Sequence, residues 1–323
     1  MSLDSIVNVS ITHESVSMSQ AGFGVPLILG PSATQGETKI DIYSDLSEML
    51  KDGFKVNDPL YRSALKLKSQ SPCVTIFKIA QGDLNAVYEA DSSFYGLLLA
   101  EPTPELILKT AEWAETKRIL FGADTQSFDN PLKEKTYKYT FSMYHPDPKE
   151  YAAAAFMGKL FPTQPGEATW AFKSLSAVKQ YSLSTGQASQ LDANHINRYT
   201  TINDVGVTLQ GKCASGEYID TIRGIDWLRA RLQERIFRLL LKNKKIPYTD
   251  KGVDLVRCEI MGQLKEAISV GVLASQPEPT VHAPKVADID DNYKAKRLLP
   301  NVSFSGTLAG AIHALEIRGV VSL

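Results

Sequence analysis

A glycine-containing stretch near the N-terminus is the first place in the chain where phosphate chemistry has to be considered. Residues 30–38, GPSATQGET, follow an apolar run typical of a β-strand, which is where a phosphate-binding loop lies. Such a loop needs four residues between its glycines and then a lysine that reaches the phosphates. Here five residues separate Gly30 from Gly36, and Glu37 replaces the lysine. Because a carboxylate repels phosphate, the pattern favours an ordinary surface loop.

A run of acidic residues near the C-terminus resembles the start of a calcium-binding loop. Asp288, Asp290 and Asn292 alternate as the first three calcium ligands do. The sixth position of such a loop is a glycine and the twelfth is a glutamate, but this chain has Tyr293 and Leu299 there. We therefore interpret the segment as a solvated loop and predict no metal site in it.

Cysteine and histidine offer no stronger catalytic pattern. The five histidines are scattered without metal-ligand spacing, and the three cysteines lie far apart without a CxxC motif. Cys213 and His195 could meet in the fold, but a lone cysteine next to a strand is more often a packed core residue. The sequence thus predicts no catalytic residue, no cofactor and no metal, and it predicts reduced thiols in a protein made in a cytoplasm.

The clearest helical pattern in the chain carries four arginines. In residues 225–243, IDWLRARLQERIFRLLLKN, apolar side chains recur at steps of three and four. The arginines lie mainly on the other sides of this helix: Arg229, Arg231, Arg235 and Arg238. They could bind phosphate, but such a face is more often solvated or paired with acidic residues on a neighbouring surface.

Composition argues against several classes of function. The 323 residues include 35 Lys and Arg against 36 Asp and Glu, whereas proteins that coat nucleic acids or membrane surfaces need a basic excess. No apolar run approaches the ~20 residues that span a bilayer, and the start of the chain, MSLDSIVNVSITH, has no apolar signal region. We expect a soluble protein that binds neither membrane nor nucleic acid directly.

Short apolar strands alternate with helices up to about residue 161. Strands are predicted at FGVPLILG, CVTIFKI, FYGLLLA, RILFGAD and YKYTFSMYH, and helices are predicted at residues 104–117 and 151–161, among others. This alternation indicates a doubly wound α/β sheet with parallel or mixed strands. After about residue 190 the pattern changes to two short strands, two helices and a proline-rich segment.

Both ends of the chain have the composition of β-strands. Residues 5–12, SIVNVSIT, alternate, and residues 311–323, AIHALEIRGVVSL, contain no lysine or proline, which normally protect an exposed strand edge. The two segments could pair with each other, since chain termini often lie close together. They could instead pair with other copies of the chain as donated strands. The residues that would then make the contacts are Ile6, Val7, Val9, Ile11, Ile312, Leu315, Ile317, Val320 and Val321.

Nearly the whole chain resembles the contractile tail sheath proteins of bacteriophages, and among them a compact subfamily of small sheaths. The likeness begins with SIVNVSIT and FGVPLILG and continues through YSDLSEML and DPLYRSALKLKSQSP into CVTIFKI. It is strongest in ANHINRYTTINDVGVTLQGKCASGEYIDTIRGIDWLRARLQERIFRLLLKNKKIPYTDKG and in LPNVSFSGTLAGAIHALEIRGVV. None of these stretches holds a catalytic motif, in agreement with the residue patterns above.

The resemblance implies a fold and a domain organisation. It implies an α/β protein in which an α+β inner domain carries a doubly wound α/β outer domain, with strand arms at both termini. The implied divisions are residues 1–20 as the N-terminal arm, 21–195 as the outer domain, 196–310 as the inner core and 311–323 as the C-terminal arm. Many sheaths are longer and carry extra domains, so this chain is expected to have a plain outer surface.

The function implied by the resemblance is structural. Sheath subunits polymerise around a tail tube, exchange terminal strands with their neighbours, and contract to drive the tube through the host envelope. The implied partners are other copies of the chain, the tail tube protein, and the baseplate and tail terminator proteins, with the four arginines as candidate tube or subunit contacts. The implied location is the virion tail, assembled in the bacterial host cytoplasm. The strand–helix alternation alone leaves an α/β enzyme or nucleotide-binding protein as the alternative.

Overall fold

The computed structural model describes residues 23–31 and 38–319. Several predictions fall outside the described residues. They are the strand SIVNVSIT with Ile6, Val7, Val9 and Ile11, the middle of the GPSATQGET loop, and Val320 and Val321.

In the described residues, eight strands form one sheet and two further strands form a second, small sheet. The strands are β1 (Pro26–Gly30), β2 (Lys39–Tyr43), β3 (Phe77–Gln81), β4 (Gly96–Leu99), β5 (Leu120–Thr125), β6 (Thr140–Tyr144), β7 (Ile196–Ile202), β8 (Val205–Leu209), β9 (Thr280–His282) and β10 (Ser303–Ser305). The order across the large sheet is β2-β3-β1-β4-β5-β6-β7-β8. Its inner strands run parallel, whereas β2 and β8 pair antiparallel at the two edges.

Helices connect the strands and cover both faces of the large sheet. They are α1 (Leu46–Lys51), α2 (Pro59–Lys68), α3 (Leu84–Ala90), α4 (Pro104–Lys117), α5 (Pro131–Glu134), α6 (Ala152–Leu160), α7 (Thr185–Ala193), α8 (Ile219–Lys242), α9 (Asp250–Ser269) and α10 (Asp291–Ala295). Short 3-10 turns lie at Pro148–Glu150 and Val286–Asp288.

The alternation of side chains along β1 shows why both faces are covered. Ile28 joins a core that includes α2, α6 and α8, while Leu27 and Leu29 join a core that includes α3 and α4. All five residues of β1 are buried, as expected for a parallel strand with helices on both sides. The predicted doubly wound α/β fold is confirmed.

Helices α2 and α6 pack closely because α6 contains Gly158. A Cβ atom at this position would lie 2.2 Å from the backbone oxygen of Leu67 in α2. Glycine is therefore required for this approach, which brings the alanine-rich α6 down onto the sheet.

The predicted division between residues 195 and 196 falls inside the large sheet. Strand β7 pairs with β6 in parallel, with Ser142 opposite Ile196, and β8 then pairs with β7. The two predicted domains thus share one sheet and one continuous core. The division itself stays a prediction.

Helix α8 begins six residues earlier than its apolar periodicity predicts. It starts at Ile219, and the added turn and a half buries Ile222 and Arg223. Gly224 lies inside the helix and does not end it. It faces Val272, and a Cβ atom there would meet a Val272 methyl carbon at 3.3 Å. The glycine is explained by packing and not by a helix boundary.

The segment predicted as the last strand, residues 312–321, forms no strand in its described part. The backbone from residue 309 to residue 319 carries no strand assignment in the single chain. A β-strand needs the backbone of a second strand to hydrogen-bond with, and in the described part of the subunit no strand pairs with this segment.

Candidate subunit interface

The base of the C-terminal arm, residues 311–323, is fixed to the body of the subunit. Leu308 forms an antiparallel bridge with Leu273. The Ala274 N–H donates to the Thr307 oxygen at 2.8 Å, and the Ala309 N–H donates to the Val272 oxygen at 3.1 Å. The arm therefore leaves the subunit from a defined point beside the end of α9.

Beyond this base the arm exposes three large aliphatic side chains. Ile312, Leu315 and Ile317 are 84%, 77% and 81% exposed. Glu316 and Arg318 alternate with Leu315 and Ile317 and form an exposed ion pair of 2.7 Å. Contiguous exposed apolar side chains mark surfaces that bind a partner, and the alternation gives the arm one apolar and one charged face when it is extended.

Within the described part of the arm, His313 contacts the body of its own subunit. Its Nε2 atom lies 2.8 Å from the Thr169 hydroxyl oxygen. Its ring meets the rings of Phe172 and Tyr218 edge-on, with centroids 5.5 Å and 4.9 Å apart. Sequence analysis did not single out this histidine, because an isolated histidine carries no spacing signal.

The small sheet of β9 and β10 lies beside the arm's base. Val281 and Phe304 face the main core, whereas the flanking residues of both strands are exposed. The Thr280 and Ser305 hydroxyl groups share a hydrogen bond of 2.8 Å across the pair. In the described chain β9 and β10 pair only with each other. A two-stranded sheet is marginal by itself, and its outer edges can accept further strands.

The four arginines of α8 that were predicted as contacts have different environments. Arg229 is buried. Arg231 lies 3.2 Å from a Glu234 carboxylate oxygen and over the Trp227 ring. Arg238 is the most exposed of the four, with 71% of its side chain accessible and a 4.0 Å contact to Glu234.

Arg235 holds α8 and α9 together. Its Nε donates to Glu259 at 2.8 Å, and its Nη1 lies 3.2 Å from a Glu266 oxygen. Arg229 is buried and Arg235 joins two helices, so both serve the structure of the subunit. Arg238 is the best placed of the four to reach another molecule. A tube contact at any of the four stays a prediction.

A buried polar cluster joins α8 to the large sheet. The Tyr95 and Tyr139 hydroxyl groups each donate to the Asp226 carboxylate at 2.9 Å. Burial raises the pKa of Asp226 to about 6, although the two tyrosine hydrogen bonds oppose this. The sequence signal for this cluster is Asp226 itself, an acidic residue that interrupts the apolar side of α8.

One turn earlier in α8, Arg223 is buried between aromatic rings. Its guanidinium donates to the backbone oxygens of Leu160 and Phe23 and lies 4.8 Å from the Phe161 ring centroid. Burial lowers the pKa of Arg223 to about 10. The cluster and this arginine fix α8 rigidly against the sheet.

A cleft of about 500 Å³ lies at the carboxyl ends of β4, β5 and β6, where doubly wound proteins bind their ligands. Asp124 is its acidic group, and the carboxylate accepts the Ala153 N–H of α6 at 2.8 Å. Burial raises the pKa of Asp124 to about 7. The Asp124 carboxylate thus caps helix α6. Within the described residues no three His, Cys, Asp or Glu side chains come together to hold a metal ion.

No helix among the described residues combines the length and the apolar character needed to cross a membrane.

A family model and solved structures both match this chain. A family model described as "E217 tail sheath protein gp31-like, C-terminal domain" matches residues 219–276, which begin with α8 and include all of α9. No curated protein matches the chain in sequence.

Solved structures of contractile machines are similar over almost the full chain. A chain of the anti-feeding prophage (AFP) baseplate is 17% identical, with a TM-score of 0.68 over 98% of this chain and 99% of that one. A chain of the PVC sheath complex of an extracellular contractile injection system, in the contracted state, is 13% identical, with a TM-score of 0.71 over 97% of each chain. The sheath tail protein of Desulfitobacterium hafniense is 10% identical, with a TM-score of 0.59 over 85% of this chain and 93% of that one. This chain thus has the fold of contractile sheath proteins over nearly its whole length, and its residues 219–276 match a tail sheath domain.

Proposed function

We propose that this chain is the subunit of a contractile tail sheath, which polymerises around a tail tube and contracts to drive the tube through a host envelope. The observation that carries the proposal is the C-terminal arm, which leaves a well-packed body with Ile312, Leu315 and Ile317 almost fully exposed. A soluble monomer gains nothing from such a segment. A polymer gains an adhesive strand, and the sheath fold supports this use.

The arm donates its strand to a neighbouring copy, and the β9–β10 sheet is the acceptor. Its outer edges offer backbone hydrogen-bonding groups, and each bond made there contributes roughly 0.5–1.5 kcal/mol net. The apolar face of the arm adds about 1.5–3 kcal/mol for each fully buried Leu or Ile. The backbone bonds and the burial of Leu315 and Ile317 act against the cost of ordering the segment, about 1–2 kcal/mol for each residue. In this proposal Val320 and Val321 extend the donated C-terminal strand. A second donated strand is formed at the N-terminus by Ile6, Val7, Val9 and Ile11.

Strand exchange suits a machine that contracts. Subunits linked through their backbones can rotate and slide relative to one another while the links stay intact. In this proposal residues 196–310 line the tube and residues 21–195 face outward. Arg238, at the exposed end of α8, contacts the tube protein or a second sheath subunit, and the ends of the polymer bind baseplate and terminator proteins.

Deletion of the arm tests the proposal. The full chain is expected to form tubes or rings as its concentration or the salt concentration rises, visible by negative-stain electron microscopy. A chain that ends at residue 310 is expected to keep its circular dichroism spectrum, to melt at a slightly lower temperature because it loses the His313 contacts, and to remain monomeric. Tubes of normal appearance from the shortened chain would refute strand exchange. A full chain that is monomeric under all conditions but stabilised by a nucleotide in a thermal-shift screen would favour the α/β enzyme instead.

A further inference from the structure

The pocket that holds His313 is built from residues that are fixed before the arm reaches them. Phe172 is nearly half exposed at 47%, and its backbone has a φ of 60° in the left-handed region. A bulky residue rarely adopts this conformation without a reason. The Phe172 ring lies at the surface, where the His313 ring meets it edge-on with centroids 5.5 Å apart.

Hydrogen bonds with Thr208 in β8 maintain the strained turn. The Phe172 N–H donates to the Thr208 oxygen at 2.7 Å, and the Thr208 N–H donates to the Lys173 oxygen at 2.9 Å. The Thr208 hydroxyl donates to the Trp170 oxygen at 2.8 Å and accepts from the Lys173 N–H at 3.0 Å. The edge strand of the large sheet thus determines where the Phe172 ring lies.

The second ring of the pocket is fixed by the start of α8. Tyr218 is the residue that precedes the helix, and its backbone forms a bridge with Lys212. The Lys212 ammonium group lies 5.4 Å from the Tyr218 ring centroid. The bridge fixes the Tyr218 backbone, and the Lys212 contact favours this position of the ring.

We propose that Thr169, Phe172 and Tyr218 form a permanent anchor for the arm of their own subunit. His313 stays in this pocket in the free subunit and in the polymer, and only the residues after His313 cross to a neighbour. The inference rests on the proposed function and refines it, because it assigns Ile312 to the donor subunit and Leu315 and Ile317 to the crossing strand. The anchor fixes the direction in which the strand leaves and keeps the link attached while the subunits rotate.

Cross-linking beside the anchor tests this directly. Lys173 borders Phe172 and Ala314 borders His313, so the double variant Lys173→Cys/Ala314→Cys puts one thiol beside each partner of the Phe172–His313 contact and leaves the side chains of the pocket unchanged. The exposed native thiols, Cys73 and Cys258, are first replaced by serine, whereas Cys213 is buried and can remain. A short bismaleimide is applied to the free subunit and to the assembled polymer.

The expected product in both states is a monomer-sized band on a denaturing gel, cross-linked within one chain. The rate of this cross-link should fall several-fold with His313→Ala or Thr169→Val, and it should be retained with Thr169→Ser, which keeps the hydroxyl group. A ladder of dimers and larger products from the polymer would overturn the proposal, because the pocket would then hold a neighbour's arm. An unchanged rate with His313→Ala would also overturn it. A chain that never polymerises would refute the proposed function instead, and the cross-link in the free subunit would still decide whether the anchor exists.

Discussion

Truncation of the apolar face of the arm should prevent assembly without harming the fold. We consider the double variant Leu315→Ala/Ile317→Ala. Each side chain is about four-fifths exposed in the single subunit, so nearly all of its burial takes place on assembly. Removal of three carbon atoms costs about 0.8 kcal/mol for each one that is buried. Each substitution therefore removes about 2 kcal/mol from the subunit contact, and the pair removes about 4 kcal/mol if the two effects add.

A loss of about 4 kcal/mol raises the concentration needed for polymerisation by about a thousandfold. Light scattering against protein concentration measures this threshold, and urea unfolding measures the stability of the free subunit, which should change by less than about 0.5 kcal/mol. The matched control is Glu316→Ala/Arg318→Ala, which changes the opposite face of the same strand and removes an exposed ion pair worth about 0–1 kcal/mol. An assembly threshold equal to that of the wild-type chain would refute the reasoning, as would a control variant that is equally impaired.

Three further predictions follow from the packing of the subunit body. Burial raises the pKa of Asp226 to about 6 from 3.8, so the folded chain binds this proton more tightly than the unfolded chain does, and the group adds stability as the pH falls from above 6 toward 4. Asp226→Asn should remove about 1.4 kcal/mol of pH-dependent gain between pH 8 and pH 5, which urea unfolding at these two pH values measures; equal pH dependence in the two proteins would contradict it. Gly158→Ala forces a Cβ atom against the Leu67 oxygen, so we expect a loss of at least about 1–3 kcal/mol in thermal or urea unfolding, and an unchanged stability would show that α2 and α6 separate easily. Arg235→Ala should cost about 1 kcal/mol because it removes the ion pairs between α8 and α9, whereas Arg238→Ala should leave unfolding unchanged, and equal losses would contradict their different environments.

The elements of the sheet could be predicted from sequence because their signals are local. Pro104 at the start of α4 and the apolar run of β1 each give a pattern within a few residues. The start of α8 could not be predicted from local signals. Gly224 lies inside this helix, and its presence there is explained by its packing against Val272. That contact joins parts of the chain that periodicity does not relate.

The candidate interface shows the same limit. The alternation of Leu315 and Ile317 with charged residues predicts a strand, but no strand in the described part of the single chain pairs with it. The separate environments of Arg235 and Arg238 depend on acids in α9, which the helical wheel of α8 alone cannot reveal. The His313 pocket depends on a left-handed residue, Phe172, whose conformation is imposed by an edge strand elsewhere in the fold.

The most direct test of the account is a cryo-electron microscopy map of the assembled polymer, with the backbone traced from residue 305 to residue 323. The account predicts that the trace stays on its own subunit to His313, then crosses and adds a strand to the β9–β10 sheet of an adjacent copy. A trace that turns back and pairs with its own subunit, with no backbone passing between copies, would contradict it.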